Sequence, residues 1–245
     1  MRRKSVAPSC SGMERDRARR FISGIIEWSE RKGRDYPWRR NVTPYRTLIA
    51  EIMLQRTKAD QVTPVYIKFI ERFPDADTLA GANLSEIKRF TDGLGLPERA
   101  IRLLAMAQEI RGRHNGRIPV AREALLELSG VGEYAADAAR IYAFKKKVVA
   151  IDSNVVRLLS RFDGRSYGES TRRSGEFRDL CRRLAYEGAG YDFKKFNWGL
   201  LDIAMGICRA KPLCDFCPLS ADCKTVKLHR TTRSKVVLKT IGLKG

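Results

Sequence analysis

Residues 122–144 read REALLELSGVGEYAADAARIYAF, and the fold follows from how that stretch bends. An apolar helix runs to Leu128, Ser129-Gly130-Val131-Gly132 follows, and a second, alanine-rich helix comes next. Two glycines around a small apolar residue permit a tight turn and close backbone approach. Amides of such a turn, at a helix N-terminus, can grip one phosphate without reading sequence. An ordinary connection between helices explains the same residues, and Gly-Val-Gly alone does not choose between the two.

Outward from the hairpin, the apolar period stays helical from about residue 15 to 220. Phe21, Ile25 and Trp28 share a face, as do Leu48 and Ile52, and then Val62, Val65, Tyr66, Phe69, Ile70 and Phe73. Ile101, Leu104 and Gln108 continue the pattern beside Leu103, Ala107 and Ile110. Val155, Leu158, Leu159 and Phe162 form another stripe, and Phe177, Leu180, Cys181 and Leu184 a further one. Thr43-Pro44, Thr63-Pro64, Phe73-Pro74 and Leu96-Pro97 read as helix starts or breaks. Only short β-like runs occur, such as Val148-Val149-Ala150-Ile151, so the expected class is all-α. Residues 1–14 read as a disordered basic arm. Residues 224–245, with seven Lys or Arg and no acid, read as a basic tail.

Lys and Arg total 48 against 28 Asp and Glu, a net charge of +20 over 245 residues. Such an excess attracts a polyanion. No apolar run of about 18 residues is present, and no apolar stretch follows Arg2, Arg3 and Lys4 as a secretory signal requires. No membrane partner and a cytoplasmic location are expected, with nucleoid association in a prokaryote. In a reducing compartment six cysteines point to metal rather than disulfides. Cys208, Cys214, Cys217 and Cys223 give C-x5-C-x2-C-x5-C, which suits zinc or a [4Fe–4S] cluster; spacing alone leaves both open. Cys181 lies on an apolar stripe, and Cys10 in the arm.

About twenty residues beyond the hairpin comes Val149-Ala150-Ile151-Asp152-Ser153-Asn154-Val155-Val156-Arg157. Asp152 opens a helix, and capping that helix is a sufficient reason for an aspartate there. A carboxylate facing a positive helix end can also serve chemistry, and the two roles are compatible.

Taken in order, Leu128-Ser129-Gly130-Val131-Gly132, Ile151-Asp152-Ser153-Asn154-Val155 and the cysteine quartet resemble the endonuclease III and MutY branch of the helix-hairpin-helix DNA glycosylases. The resemblance covers about residues 20–223. It departs at Ser129, usually Pro, and in the first cysteine loop, one residue shorter than the usual C-x6-C. It implies two helical lobes flanking a DNA-binding cleft. Residues 36–146 would form a six-helix lobe with the hairpin, and 15–35 with 147–223 a lobe holding a [4Fe–4S] cluster on Cys208, Cys214, Cys217 and Cys223. The hairpin residues Gly130, Val131 and Gly132 would bind DNA, with Asp152 catalytic beside them at the cleft mouth.

Tyr134 stands where lyase-active members carry a nucleophilic lysine. A phenol cannot form a Schiff base, so the resemblance implies a monofunctional enzyme that uses water, with Tyr134 lining the pocket. Glu51-Ile52-Met53-Leu54-Gln55-Arg56-Thr57 is similar to a segment in which the acid protonates the leaving base and the next polar residues probe the hole left by a flipped nucleotide. Glu51 is either that acid or an exposed helical carboxylate. Gln55 and Arg56 match the probing residues, and Gly93-Leu94-Gly95-Leu96 resembles a second probing loop with Leu96 as its wedge. The chain ends 22 residues after Cys223, without the further domain usual in MutY proteins. The expectation is a thymine or uracil mismatch glycosylase acting as a monomer on double-stranded DNA with a mismatched or damaged base. A short adenine glycosylase and a non-catalytic DNA-binding module are the alternatives.

Overall fold

The structure, a computed structural model, describes residues 15–165, 171, 174–187 and 190–227. The arm at 1–14, with Cys10, and the tail from 228 onward lie outside the described residues. The described chain is helical, with no strand, and separates into two compact units. One comprises Asp35–Lys146; the other joins the described residues up to Arg34 to those from Lys147 onward. No described helix is long and apolar enough to cross a membrane.

The Asp35–Lys146 unit contains α2 (Pro37–Arg40), α3 (Pro44–Leu54), α4 (Ala59–Arg72), α5 (Ala76–Ala80), α6 (Leu84–Thr91), α7 (Arg99–His114), α8 (Arg122–Leu126) and α9 (Glu133–Tyr142). Against the six helices expected here, the unit has eight helical segments, five of eight residues or more and three, α2, α5 and α8, of only four or five. Helix α3 is central. Thr43 caps it by accepting the Arg46 amide at 3.1 Å, Pro44 supplies the fixed φ of its first turn, and Leu48, Ile49, Ile52 and Met53 are fully buried. Helices α4, α7 and α9 pack around it.

Two readings need correction. Pro64 neither starts nor breaks a helix but lies inside α4. It is exposed, so water can reach the Asp60 carbonyl that loses its helical donor there. On α7 the buried face is Ala100, Leu103, Met106, Ala107 and Ile110; Ile101 is 52% exposed and Gln108 is exposed. A 3.6-residue period tolerates two adjacent stripes, and the one with Ala100, Leu103, Ala107 and Ile110 is buried.

The other unit contains α1 (Arg15–Lys32), α10 (Ser153–Asp163), α11 (Gly175–Glu187) and α12 (Phe193–Gly206). Phe21, Phe162, Phe177 and Phe196 fill its core. Helices α1 and α12 approach closely at Gly199, where a Cβ would stand 2.8 Å from Ile25 Cγ2 and 2.9 Å from the Ile25 carbonyl.

Arg17, 9% exposed, ties α1 to the C-terminal segment. Its guanidinium donates to the Phe162 and Asp222 carbonyls at 2.6 and 3.0 Å and pairs with Asp163 at 3.3 Å. Lys224 reaches the same carboxylate at 3.2 Å, and Val226 is buried. Residues 224–227 are therefore a short helix packed on this unit, not the start of a loose tail, because two apolar or paired side chains anchor them.

Residues 148–151 run extended without joining a sheet. The buried Asn197 of α12 replaces a neighbouring strand. Its carboxamide accepts the Ala150 amide at 2.9 Å and donates to the Val148 carbonyl at 3.1 Å and the Phe193 carbonyl at 2.8 Å. One side chain thus meets two of the segment's backbone polar groups, and the segment delivers the chain to Asp152.

Candidate active site

In the Asp35–Lys146 unit three turns lie against one another. The hairpin links α8 to α9. Gly130 has φ +80, and a Cβ there would meet Arg102 Cβ at 3.1 Å and Ile52 Cδ1 at 3.4 Å, so only glycine fits. The Val131 side chain is buried and its amide donates to the Leu128 carbonyl at 3.0 Å, so Val131 builds the turn. Gly132 is exposed, precedes α9, and has open space where a Cβ would stand. At that helix start the amides have no intrahelical acceptor, which suits a phosphate oxygen.

Ser129, the departure from the usual proline, has its own support. Both its amide and its hydroxyl donate to the Glu109 carboxylate, each at 2.7 Å. The clamp from α7 sets the hairpin entry that a proline ring would otherwise stiffen.

The second turn is Gln55-Arg56-Thr57, after α3. The third is Gly95-Leu96, before α7. Among the described residues the non-glycine positive φ values fall at Arg56 (56°), Leu96 (52°), Asn115 (51°) and Lys145 (55°). Two of the four are the residues expected to probe DNA. A single left-handed residue costs about 1–2 kcal/mol, so both turns are strained and must be held. Gln55 donates from Nε2 to the Gly130 carbonyl at 2.9 Å, which ties the second turn to the hairpin. Thr57 Oγ1 donates to the Leu94 carbonyl at 2.8 Å, which ties it to the third. Arg56 is exposed and Leu96 half-buried. Glu51, one helical turn before Gln55 on α3, and Tyr134, second residue of α9, are half-buried on two helices that pack together.

In the other unit Asp152 is the N-cap of α10. Its Oδ1 accepts the Val155 amide at 2.7 Å, and its Oδ2 accepts the Asn154 carboxamide at 2.7 Å. Each carboxylate oxygen retains a lone-pair direction for a further partner. The cap thus leaves the carboxylate able to accept a further donor. Asn154 Oδ1 accepts Arg157 Nη2 at 3.0 Å, and Arg157 Nε donates to the Cys208 carbonyl at 2.8 Å. Arg161, one turn on, donates to the Arg209 and Ala210 carbonyls at 2.6 and 3.1 Å and lies 3.6 Å from Cys208 Sγ. One face of α10 thus runs from Asp152 to the first cysteine of the quartet.

Cys208, Cys214, Cys217 and Cys223 are all half-buried and uncrosslinked. Burial pushes the Cys217 thiol up to about 11 and raises that of Cys214, with the neighbouring cysteines adding to both. Cys208, Cys217 and Cys223 rest on the apolar core. Among the described residues no three Cys, His, Asp or Glu side chains converge tightly enough to hold a single metal ion.

Sequence reasoning missed Asn154 and Arg157, although their i, i+3 spacing on a helix signals contact. It also missed Glu109, Arg99 and Asn197, whose partners are remote in sequence.

A glycine hairpin between two helices, two strained turns beside it and an aspartate at the start of α10 fit the helix-hairpin-helix class. The chain belongs to the HhH-GPD superfamily of base excision DNA repair proteins, whose profile matches residues 49–183. It is 36% identical to a thymine-DNA glycosylase of Aeropyrum pernix, over 81% of this chain and 91% of that protein. It is 33% identical to an adenine DNA glycosylase of Buchnera aphidicola, over 84% of this chain and 58% of that one. A solved thermostable thymine-DNA glycosylase superposes with a TM-score of 0.79 at 33% identity, covering 86% of this chain and 97% of that structure.

The Glu109 clamp yields a test. Glu109→Ala is expected to lower stability by about 1.5–3 kcal/mol, the range for hydrogen bonds to a charged group, and to weaken duplex binding. Adding Ser129→Pro, which removes the orphaned amide, recovers part of both. Thermal unfolding and duplex titration read the outcome, and an unchanged Tm in Glu109→Ala contradicts the clamp.

Proposed function

We propose that this protein hydrolyses the N-glycosidic bond of thymine or uracil mispaired with guanine, as a monofunctional DNA glycosylase with Asp152 as its catalytic carboxylate. The observation that carries the reading is the position of Asp152. It is fixed by two donors at the start of α10 with acceptor capacity to spare. The alignment supports the substrate class, since identity is 36% to the Aeropyrum thymine enzyme and 33% to the Buchnera adenine enzyme.

A base stacked in duplex cannot be attacked in place, and a mispair lowers the cost of extruding it. Arg56, Gln55 and Leu96 fill the gap, and the amides at Gly132 hold a phosphate near it. As the bond to the base breaks, the sugar gains positive charge. Asp152 stabilises that charge and orients or deprotonates the attacking water. Glu51 delivers a proton to the departing base or orders water. Tyr134 lines the pocket; with no amine in that position, no Schiff base forms and the strand is left whole.

Duplexes carrying G·T, G·U, A·G and A·oxidised-G pairs test the assignment. Thymine and uracil opposite guanine are released, the abasic strand stays intact until alkali or heat, and borohydride traps no covalent complex. Adenine release opposite G or oxidised G would move the protein to the adenine class, to which the Buchnera relative belongs. Tyr134→Lys is expected to add strand-cleaving activity.

The cysteine quartet supports a resident [4Fe–4S] cluster. Four thiols within sixteen residues, with no oxygen ligand among them, suit iron–sulfur chemistry. Cys208, Cys214, Cys217 and Cys223 would hold it. Its contribution is to order the loop after α12, since hydrolysis of an N-glycosidic bond transfers no electron. Anaerobically purified protein is expected to carry about four iron and four sulfide with absorbance near about 400 nm. Stoichiometric zinc without iron contradicts the assignment.

A further inference from the structure

Arg99, the first residue of α7, is 1% exposed, an unusual place for an arginine. Its guanidinium reaches both strained turns. Nε donates to the Ile52 carbonyl at 3.2 Å, and Nη2 donates to the Gln55 carbonyl at 2.7 Å and to Thr57 Oγ1 at 2.9 Å. Nη1 donates to the Gly95 carbonyl at 2.6 Å. Burial disfavours the charged form of this side chain and lowers its pKa. The carbonyls at the end of α3 supply compensating negative potential.

The geometry is economical for one purpose. Ile52 and Gln55 lie at the C-terminal end of α3, just before Arg56; Gly95 directly precedes Leu96. The guanidinium fork is planar and rigid, so it fixes the distance between the carbonyls it joins. Thr57 closes the ring by accepting from Arg99 and donating to Leu94. Two left-handed residues that would relax if free are thereby held side by side.

We propose that Arg99 is a positioning residue that fastens the Arg56 and Leu96 turns into one preformed, two-pronged probe, so that the duplex meets it without loop ordering. Preorganisation of this kind lowers the ordering cost of binding, and it rests on the reading of the site as a base-extruding glycosylase. A lysine cannot take its place, because one ammonium cannot bridge carbonyls on both turns in a fixed plane.

Arg99→Lys tests it by comparing two duplexes. In one, uracil faces guanine, and a gap must be held open. In the other, uracil faces a tetrahydrofuran abasic analogue, where no partner base contests the extruded state. Under single turnover Arg99→Lys is expected to lose about 10- to 100-fold on the first, the scale of a small misplacement of positioning groups, and at most about threefold on the second. A role confined to holding the fold lowers both rates equally, and that result overturns the proposal, as does full activity on both. Fluorescence of 2-aminopurine beside the mispair gives a readout without catalysis: it rises on binding wild type and rises less with Arg99→Lys. Should wild type unstack the probe yet release no base, the glycosylase reading fails while the fluorescence still decides the role of Arg99. If Arg99→Lys does not fold, Thr57→Val removes the bridging hydroxyl alone. It is expected to show the same duplex-selective loss, smaller in size; equal loss on both duplexes overturns the proposal.

Discussion

Two hydrogen bonds hold the Asp152 carboxylate at the head of α10, and much of the surrounding unit serves to keep them in place. The Val155 amide fixes one oxygen and the Asn154 carboxamide the other. Upstream, Asn197 pins the extended segment that brings the chain to this point. Downstream, Arg157 and Arg161 anchor α10 to the loop that starts with Cys208. A carboxylate that must meet a transient sugar cation gains by being oriented before the reaction begins, because no reorganisation is then needed as charge develops.

The Asp35–Lys146 unit follows the same logic with different chemistry. Its functional groups are turns, which are mobile unless tied down. Gln55 ties one turn to the hairpin, Thr57 ties it to the next, Arg99 holds both, and Glu109 holds Ser129. Every tie ends on a backbone atom or a single side-chain oxygen, so the ties fix backbone geometry rather than side-chain chemistry. That leaves Arg56 exposed in a strained turn whose backbone is fixed.

The helical class, the hairpin, Asp152 and the cysteine spacing were legible because each is a local pattern. Glycines at fixed offsets, an acid opening a helix, and four thiols within sixteen residues carry their meaning in a short window. What stayed hidden depends on remote partners. Arg99 and Ile52 are 47 residues apart, and Asn197 and Ala150 likewise, so nothing in either neighbourhood marks the pair. Pro64 and Ile101 misled for a simpler reason: an exposed helix surface tolerates a missing amide donor or an uncovered apolar side chain. The sequence around Gln55 suggests a probing residue but gives no sign that its carboxamide is engaged by the hairpin carbonyl.

The central claim is that Asp152 does chemistry as well as cap a helix, and asparagine separates the two roles. Asn is a good N-cap, so Asp152→Asn keeps the fold and duplex binding while removing the negative charge and the proton acceptor. Single-turnover release of thymine from a G·T duplex measures the difference. The account predicts a loss of about 10²–10⁴ in rate with duplex affinity retained and Tm lowered by only a few degrees, since asparagine keeps the Val155 cap but gives up the bond from Asn154. Full activity in Asp152→Asn would contradict it and leave Asp152 a helix cap.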